Sequence, residues 1–237
     1  MNLEPALIKD VELKKSSFQG ELTRWGSRHF RSFPWRIKRD PYSVLISEIL
    51  LRRTTSSAVM RIYQEFLLKY PNVQELANAD CRKLERFLAG IGFQKQRARM
   101  LIEIGDFIIK AYDGNIPDSR EQLLRIPYVG DYTASAISTF AYDVPATMVD
   151  SNIERIMKRV FMNHFHERSS FKVIQGIAGI LSPDKKNRVY NYALLDLGAL
   201  VCSYRTTKCE ICPLKMLCDN CLLGKTRNER YAKKGVL

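Results

Sequence analysis

No apolar run in these 237 residues is long enough to cross a bilayer; the longest candidate, VLISEILL at 44–51, carries a carboxylate. The first fifteen residues also lack the uninterrupted apolar segment of a secretory signal, because acids break it up. A chain with neither is expected to be soluble and cytoplasmic, without a membrane partner. Strand-type alternation is scarce, and internal repeats and low-complexity segments are absent. Hydrophobic content of 46% argues against disorder. Carboxylates are also in short supply: 25 Asp plus Glu face 38 Lys plus Arg, leaving a net charge of +13. That excess points to a polyanionic partner, of which nucleic acid is the commonest.

What is present is helical period. Apolar residues recur three and four apart over 41–53, 57–70, 80–90, 95–112, 132–142, 152–165, 170–181 and 187–202. A further helix is expected over about 17–30. The breaks carry Pro, Gly, Asn or Asp, as in YPN, YDGNIPDS and LSPDKKN. The class is therefore all-α with short connections. The stretch SRHFRSFPWRIKRDPY reads as a connector, and the end of the chain, 223–237, as a loose basic tail.

Five of the six cysteines fall within 202–221, spaced Cys202-x6-Cys209-x2-Cys212-x5-Cys218-x2-Cys221. In an intracellular protein such clustering favours a metal over disulfides. Two quartets are possible. Cys209, Cys212, Cys218 and Cys221 form a symmetric pair of Cys-x2-Cys motifs, but the separation between them is shorter than in common zinc modules. Cys202, Cys209, Cys212 and Cys218 start at a helix end and close a loop of 17 residues. Four thiolates suit zinc or an iron–sulfur cluster.

The spacing C-x6-C-x2-C-x5-C after LLDLGALVC resembles the [4Fe–4S] loop of the endonuclease III superfamily of DNA glycosylases. The resemblance continues upstream through VPATMVDSNIERIMKRVF, LLRIPYVGDYTASAI and FPWR…DPYSVLISEILLRRTTSSAV, and covers residues 24–221. Within the superfamily the chain looks most similar to archaeal-type thymine(uracil)/guanine mismatch glycosylases. The resemblance implies a structural [4Fe–4S] cluster on Cys202, Cys209, Cys212 and Cys218, with Cys221 a bystander. Lys208, Arg205 and Lys215 would then face DNA.

It also implies a helix-hairpin-helix over about 123–136 that binds backbone phosphate through amides at a helix start. Gly130 allows close approach there. Tyr128 stands where the family usually has glycine, which puts the amide geometry at that position in question. Asp150 matches the catalytic aspartate, a group that can stabilise positive charge on the deoxyribose and orient water. A capping box at Ser151-x-x-Glu154 would leave Asp150 free for that work. Tyr132 occupies the position where strand-cleaving members carry lysine, so base removal without strand cleavage is implied. Glu48, a carboxylate in an apolar helix, is expected in the base pocket. Arg52 and Arg53 stand where relatives carry duplex-wedging glutamines; one is expected to fill the flipped-base gap and pair with the orphaned guanine, the other to contact phosphate.

Two helical lobes are expected: 40–145, and 1–39 combined with 146–222, with double-stranded DNA across the cleft and a monomer as the working unit. The leading function is hydrolysis of thymine or uracil mispaired with guanine. Adenine removal opposite guanine or oxidised guanine, and a non-enzymatic iron–sulfur DNA-binding protein, are the alternatives.

Overall fold

The computed structural model describes residues 3–165 and 170–223; the basic tail lies, from 224 onward, outside the described residues. Among these residues the fold is helical throughout, with one isolated antiparallel bridge between Cys202 and Thr207. No described helix is long and apolar enough to cross a membrane. The chain forms two compact units, Ser32–Val144 and Met1–Arg31 with Pro145–Leu237.

The helix Pro41–Leu50 lies at the centre of the Ser32–Val144 unit. Asp40 caps it, its Oδ1 accepting from the Ser43 amide at 2.9 Å, and Pro41 presets the first turn. Val44, Leu45, Ile46, Ile49 and Leu50 are at most 1% exposed. Each contributes about 1.5–3 kcal/mol of burial. Between Tyr42 and Leu50 only Glu48 is not buried. The helix Asp131–Phe140 packs against this core. The longest helix of the unit, Gln94–Tyr112, packs against Val73–Ala77. Gly105 permits that approach, since a Cβ there would lie 3.0 Å from the Ala77 nitrogen. The segment 57–70, expected as one helix, is two: Ser56–Met60 and Tyr63–Lys69. Within the expected connector lies a short helix, Pro34–Ile37, whose Trp35 stacks on Phe33 and meets Tyr63 edge-on.

In the other unit the first helix runs Pro5–Arg28, twelve residues earlier than the expected start at 17. Pro5 occupies a first-turn position, and Leu7, Val11, Phe18, Leu22 and Gly26 recur on one buried face. Of the helix's two acids near the start, Glu12 is exposed and Asp10 is half-buried, bonded to Lys14 and His164. The helix packs on Asn187–Leu200 and Phe171–Leu181. At Gly26 a Cβ would fall 2.4 Å from the Ala193 Cβ, so only glycine lets the two helices touch. Just past this helix, Arg31 Nε donates to the buried Asp196 carboxylate at 2.5 Å.

Candidate DNA-binding hairpin, carboxylate and cysteine loop

In the Ser32–Val144 unit, Arg120–Arg125 and Asp131–Phe140 form a helix pair joined by 126–130. Tyr128 adopts the left-handed conformation, φ 64°. For a residue with a side chain this costs about 1–2 kcal/mol. Its hydroxyl donates to Glu103, and its carbonyl accepts from Arg52 Nη2. These contacts hold a tyrosine in the turn that glycine adopts freely, which resolves the departure at 128. Gly130 precedes the second helix with φ −98° and brings no side-chain cap, so the N-cap residue takes none of the first-turn N–H groups. A Cβ at Gly130 would meet no heavy atom within 4 Å, so nothing inside the chain requires glycine there. Gly130→Ala should therefore change stability by less than about 0.5 kcal/mol. It should weaken DNA binding about tenfold if a phosphate takes those amides, as fluorescence anisotropy would report.

Arg52 is not a free wedge. Its Nη2 also donates to Thr133 Oγ1 at 3.1 Å, and its Nη1 lies 3.8 Å from the Met100 sulfur. Burial lowers its pKa, with Glu48 opposing. Arg52 thus ties the end of Pro41–Leu50 to the hairpin. Arg53 follows in a left-handed conformation, φ 51°, and is exposed, its guanidinium 5.8 Å from the Phe93 ring centroid. Phe93 is itself left-handed (φ 52°) and 54% exposed. These residues, with Gln96, Arg97 and Met100, line a cavity of about 360 Å³.

Two residues of this cavity carry no plain mark in the sequence. Phe93 sits at a helix N-cap, where Ser or Asp would be ordinary, and that misfit is its signal. Arg97 falls in phase with Leu101, Ile104 and Ile108 on the buried face of its helix. It is 4% exposed and donates to Ile49 O at 2.6 Å and Arg52 O at 2.9 Å, holding the turn that presents Arg53. Glu48 and Tyr132 are both half-buried, Tyr132 in the first turn of the second hairpin helix.

Asp150, in the other unit, is not freed by a capping box. It is itself the N-cap of Ser151–Val160. Its Oδ1 accepts from the amides of Asn152 at 2.9 Å and Ile153 at 2.8 Å; its Oδ2 accepts from Asn152 Nδ2 at 2.8 Å. Glu154 does not reach back, being paired with Lys158 at 2.5 Å. Asp takes the cap because one oxygen reaches two amides while the other engages Asn152. The carboxylate is therefore fixed in orientation, which a catalytic group needs as much as a cap does. Arg155 extends this frame, its Nη2 donating to Asn152 Oδ1 and Gly198 O and its Nε to Cys202 O, all within 2.8–2.9 Å.

That contact leads into the cysteine loop. Cys202, Cys209, Cys212, Cys218 and also Cys221 line one cavity. Arg159 Nη1 donates to Cys202 Sγ at 3.1 Å and to Ser203 O at 2.9 Å. Burial pushes the Cys212 thiol up to about 12, with Cys202, Cys218 and Cys209 adding to it. Among the described residues no three His, Cys, Asp or Glu side chains are spaced to share one metal ion. The thiols surround a space instead of meeting at a point. Zinc, bonded to thiolates at about 2.3 Å, would need them gathered; a multi-iron cluster fits the wider arrangement. On the outer face Arg205, Lys208 and Lys215 are exposed beside Tyr204 and Met216.

The sequence profile of HhH-GPD superfamily base excision DNA repair proteins matches residues 46–173. A thymine/uracil-DNA glycosylase of Methanothermobacter thermautotrophicus is 37% identical over 199 residues, 84% of this chain and 90% of that protein. An adenine DNA glycosylase of Buchnera aphidicola is 32% identical, over 83% of this chain but 56% of that protein. The solved structure of a thermostable thymine-DNA glycosylase superposes with a TM-score of 0.85 at 34% identity, covering 90% of this chain and 98% of that one.

Proposed function

Because the chain belongs to the HhH-GPD superfamily of base excision DNA repair proteins and is a DNA glycosylase, we propose that it hydrolyses the N-glycosidic bond of thymine or uracil mispaired with guanine. The observation that carries this reading is likeness spanning 98% of a solved thymine-DNA glycosylase.

The chemistry follows from the residues. A base inside a duplex must be flipped out before its sugar bond can be attacked, and a mismatch lowers that cost. Phe93 and Arg53 present an exposed apolar ring and a guanidinium side by side, suited to entering the stack and pairing with guanine. Glu48 contacts the flipped pyrimidine. Asp150, held by helix amides, stabilises positive charge developing on the deoxyribose as the C1′–N bond breaks. It also orients the water whose oxygen takes C1′. Tyr132 supplies no amine for an imine, so the product is an abasic site in an unbroken strand.

The cysteine loop is read as the seat of a [4Fe–4S] cluster on Cys202, Cys209, Cys212 and Cys218, which when bound supplies iron–thiolate bonds that hold the loop. Tyr128 and Gly130, through the hairpin amides, and Lys208 contact DNA phosphate.

A single-turnover panel on T/G, U/G, A/G and A/8-oxoguanine duplexes tests the assignment. Thymine or uracil release without a borohydride-trappable protein–DNA adduct is the expected result. Adenine release alone would overturn it in favour of the second reading, which the Buchnera adenine glycosylase supports and with which Glu48 is equally compatible. Phe93→Ala should slow excision about tenfold, the worth of one stacked ring. Melting should barely change, because the ring is largely exposed.

A further inference from the structure

The fifth cysteine of the loop is not a loose neighbour. Cys221 lies on the short helix Asp219–Leu222, its amide donating to Cys218 O at 3.0 Å. That helix is anchored: Asp219 is 6% exposed and accepts from Lys14 Nζ at 3.1 Å and the Asn163 amide at 3.0 Å, and Asn220 is 3% exposed. Part of that anchoring, from Lys14 and Asn163, comes from elements outside the loop.

Cys221 lines the same cavity as the other four thiols. Its neighbours among them are Cys209 and Cys218. Cys202, Cys209, Cys212 and Cys218 are the four that the cluster reading uses, and Cys221 lies on the same wall as Cys218. The fifth thiol therefore stands at one edge of the quartet, beside two particular members. Cys218 is the N-cap of the short helix that carries Cys221 three residues on.

We propose that Cys221 is a reserve ligand of the cluster site, able to replace Cys209 or Cys218 but not Cys202 or Cys212. The inference rests on the cluster reading above. The exchange is redox-neutral: the Cys221 thiol gives its proton to solvent, its sulfur forms the iron bond, and the departing thiolate takes up a proton. The site then tolerates loss of a ligand on one side and not on the other.

Iron and acid-labile sulfide per chain, with visible absorbance, measured on anaerobically purified protein, test this without reference to activity. Wild type and Cys221→Ser are expected to hold a full cluster. Cys209→Ser and Cys218→Ser should retain more than about half the iron while Cys221 is present. Each should lose it when Cys221→Ser is added. Cys202→Ser and Cys212→Ser should lose it in either background. Equal loss in all four single variants would overturn the inference, as would retention in the double variants. Wild-type protein that binds no iron would overturn the cluster reading and this inference with it. Circular dichroism separates loss of ligand from loss of fold. Should Cys209→Ser and Cys218→Ser not fold, Cys221→Ala decides: iron release to a chelator several-fold faster than wild type is expected, and an unchanged rate overturns the proposal.

Discussion

Asp150→Asn is expected to lower single-turnover excision by about 10³-fold, roughly 4 kcal/mol of transition-state stabilisation. The loss comes from charge. Asparagine keeps an oxygen that can accept from the Asn152 and Ile153 amides, and it is among the best N-cap residues. Its amide would face Asn152 Nδ2, so one hydrogen bond of about 1 kcal/mol is forfeited. Melting temperature and affinity for an uncleavable duplex should thus stay near wild type while product formation collapses. Asp150→Ala should lose as much activity and a further 0.5–2 kcal/mol or so of helix stability. Excision by Asp150→Asn within a few-fold of wild type would leave the helix cap as this residue's whole role.

Arg97→Met should destabilise the Ser32–Val144 unit by about 3 kcal/mol. Its guanidinium satisfies the carbonyls of Ile49 and Arg52 from a buried position. Hydrogen bonds to a charged group contribute about 1.5–3 kcal/mol each, and the carbonyls left behind are shielded from water. Relief from burying a charge offsets part of the loss. Burial already lowers the pKa of Arg97, with Arg52 nearby adding to it. For a protein of this size the melting temperature should fall by about 6–12 °C. Excision should fall as well, because the turn presenting Arg53 loses its support. An unchanged melting temperature would mean that other donors reach those two carbonyls.

These two residues differ in how far the sequence exposes them. Asp150 stands in a recognisable motif, yet its local geometry was misread. SNIE at 151–154 satisfies the same capping pattern one residue later, and only the pairing of Glu154 with Lys158 decides the register. Arg97 sits among other cations in KQRARM. Its partners lie 48 and 45 residues away, so only its phase with the apolar stripe hints at burial. The helices Gln94–Tyr112 and Phe171–Leu181 were legible to within a residue at each end, because period and breakers agree; past Tyr112, Asp113 and Gly114 both turn left-handed. The helix Pro5–Arg28 was cut short because its apolar residues are diluted by charge and its partner helices come from the other end of the sequence. The hidden role of Arg52 has the same origin: its acceptors, Tyr128 O and Thr133 Oγ1, are 76 and 81 positions away.

The Arg155 bridge carries one more consequence. Through Asn152 it touches the carboxylate of Asp150, and through Cys202 O the start of the cysteine loop. Gly198 lets the intervening helix come close enough, since a Cβ there would lie 2.7 Å from the Asn152 Cβ. A shift of the loop at Cys202 would therefore be felt at Asp150 through two side chains, Arg155 and Asn152, with no change in the helix between them.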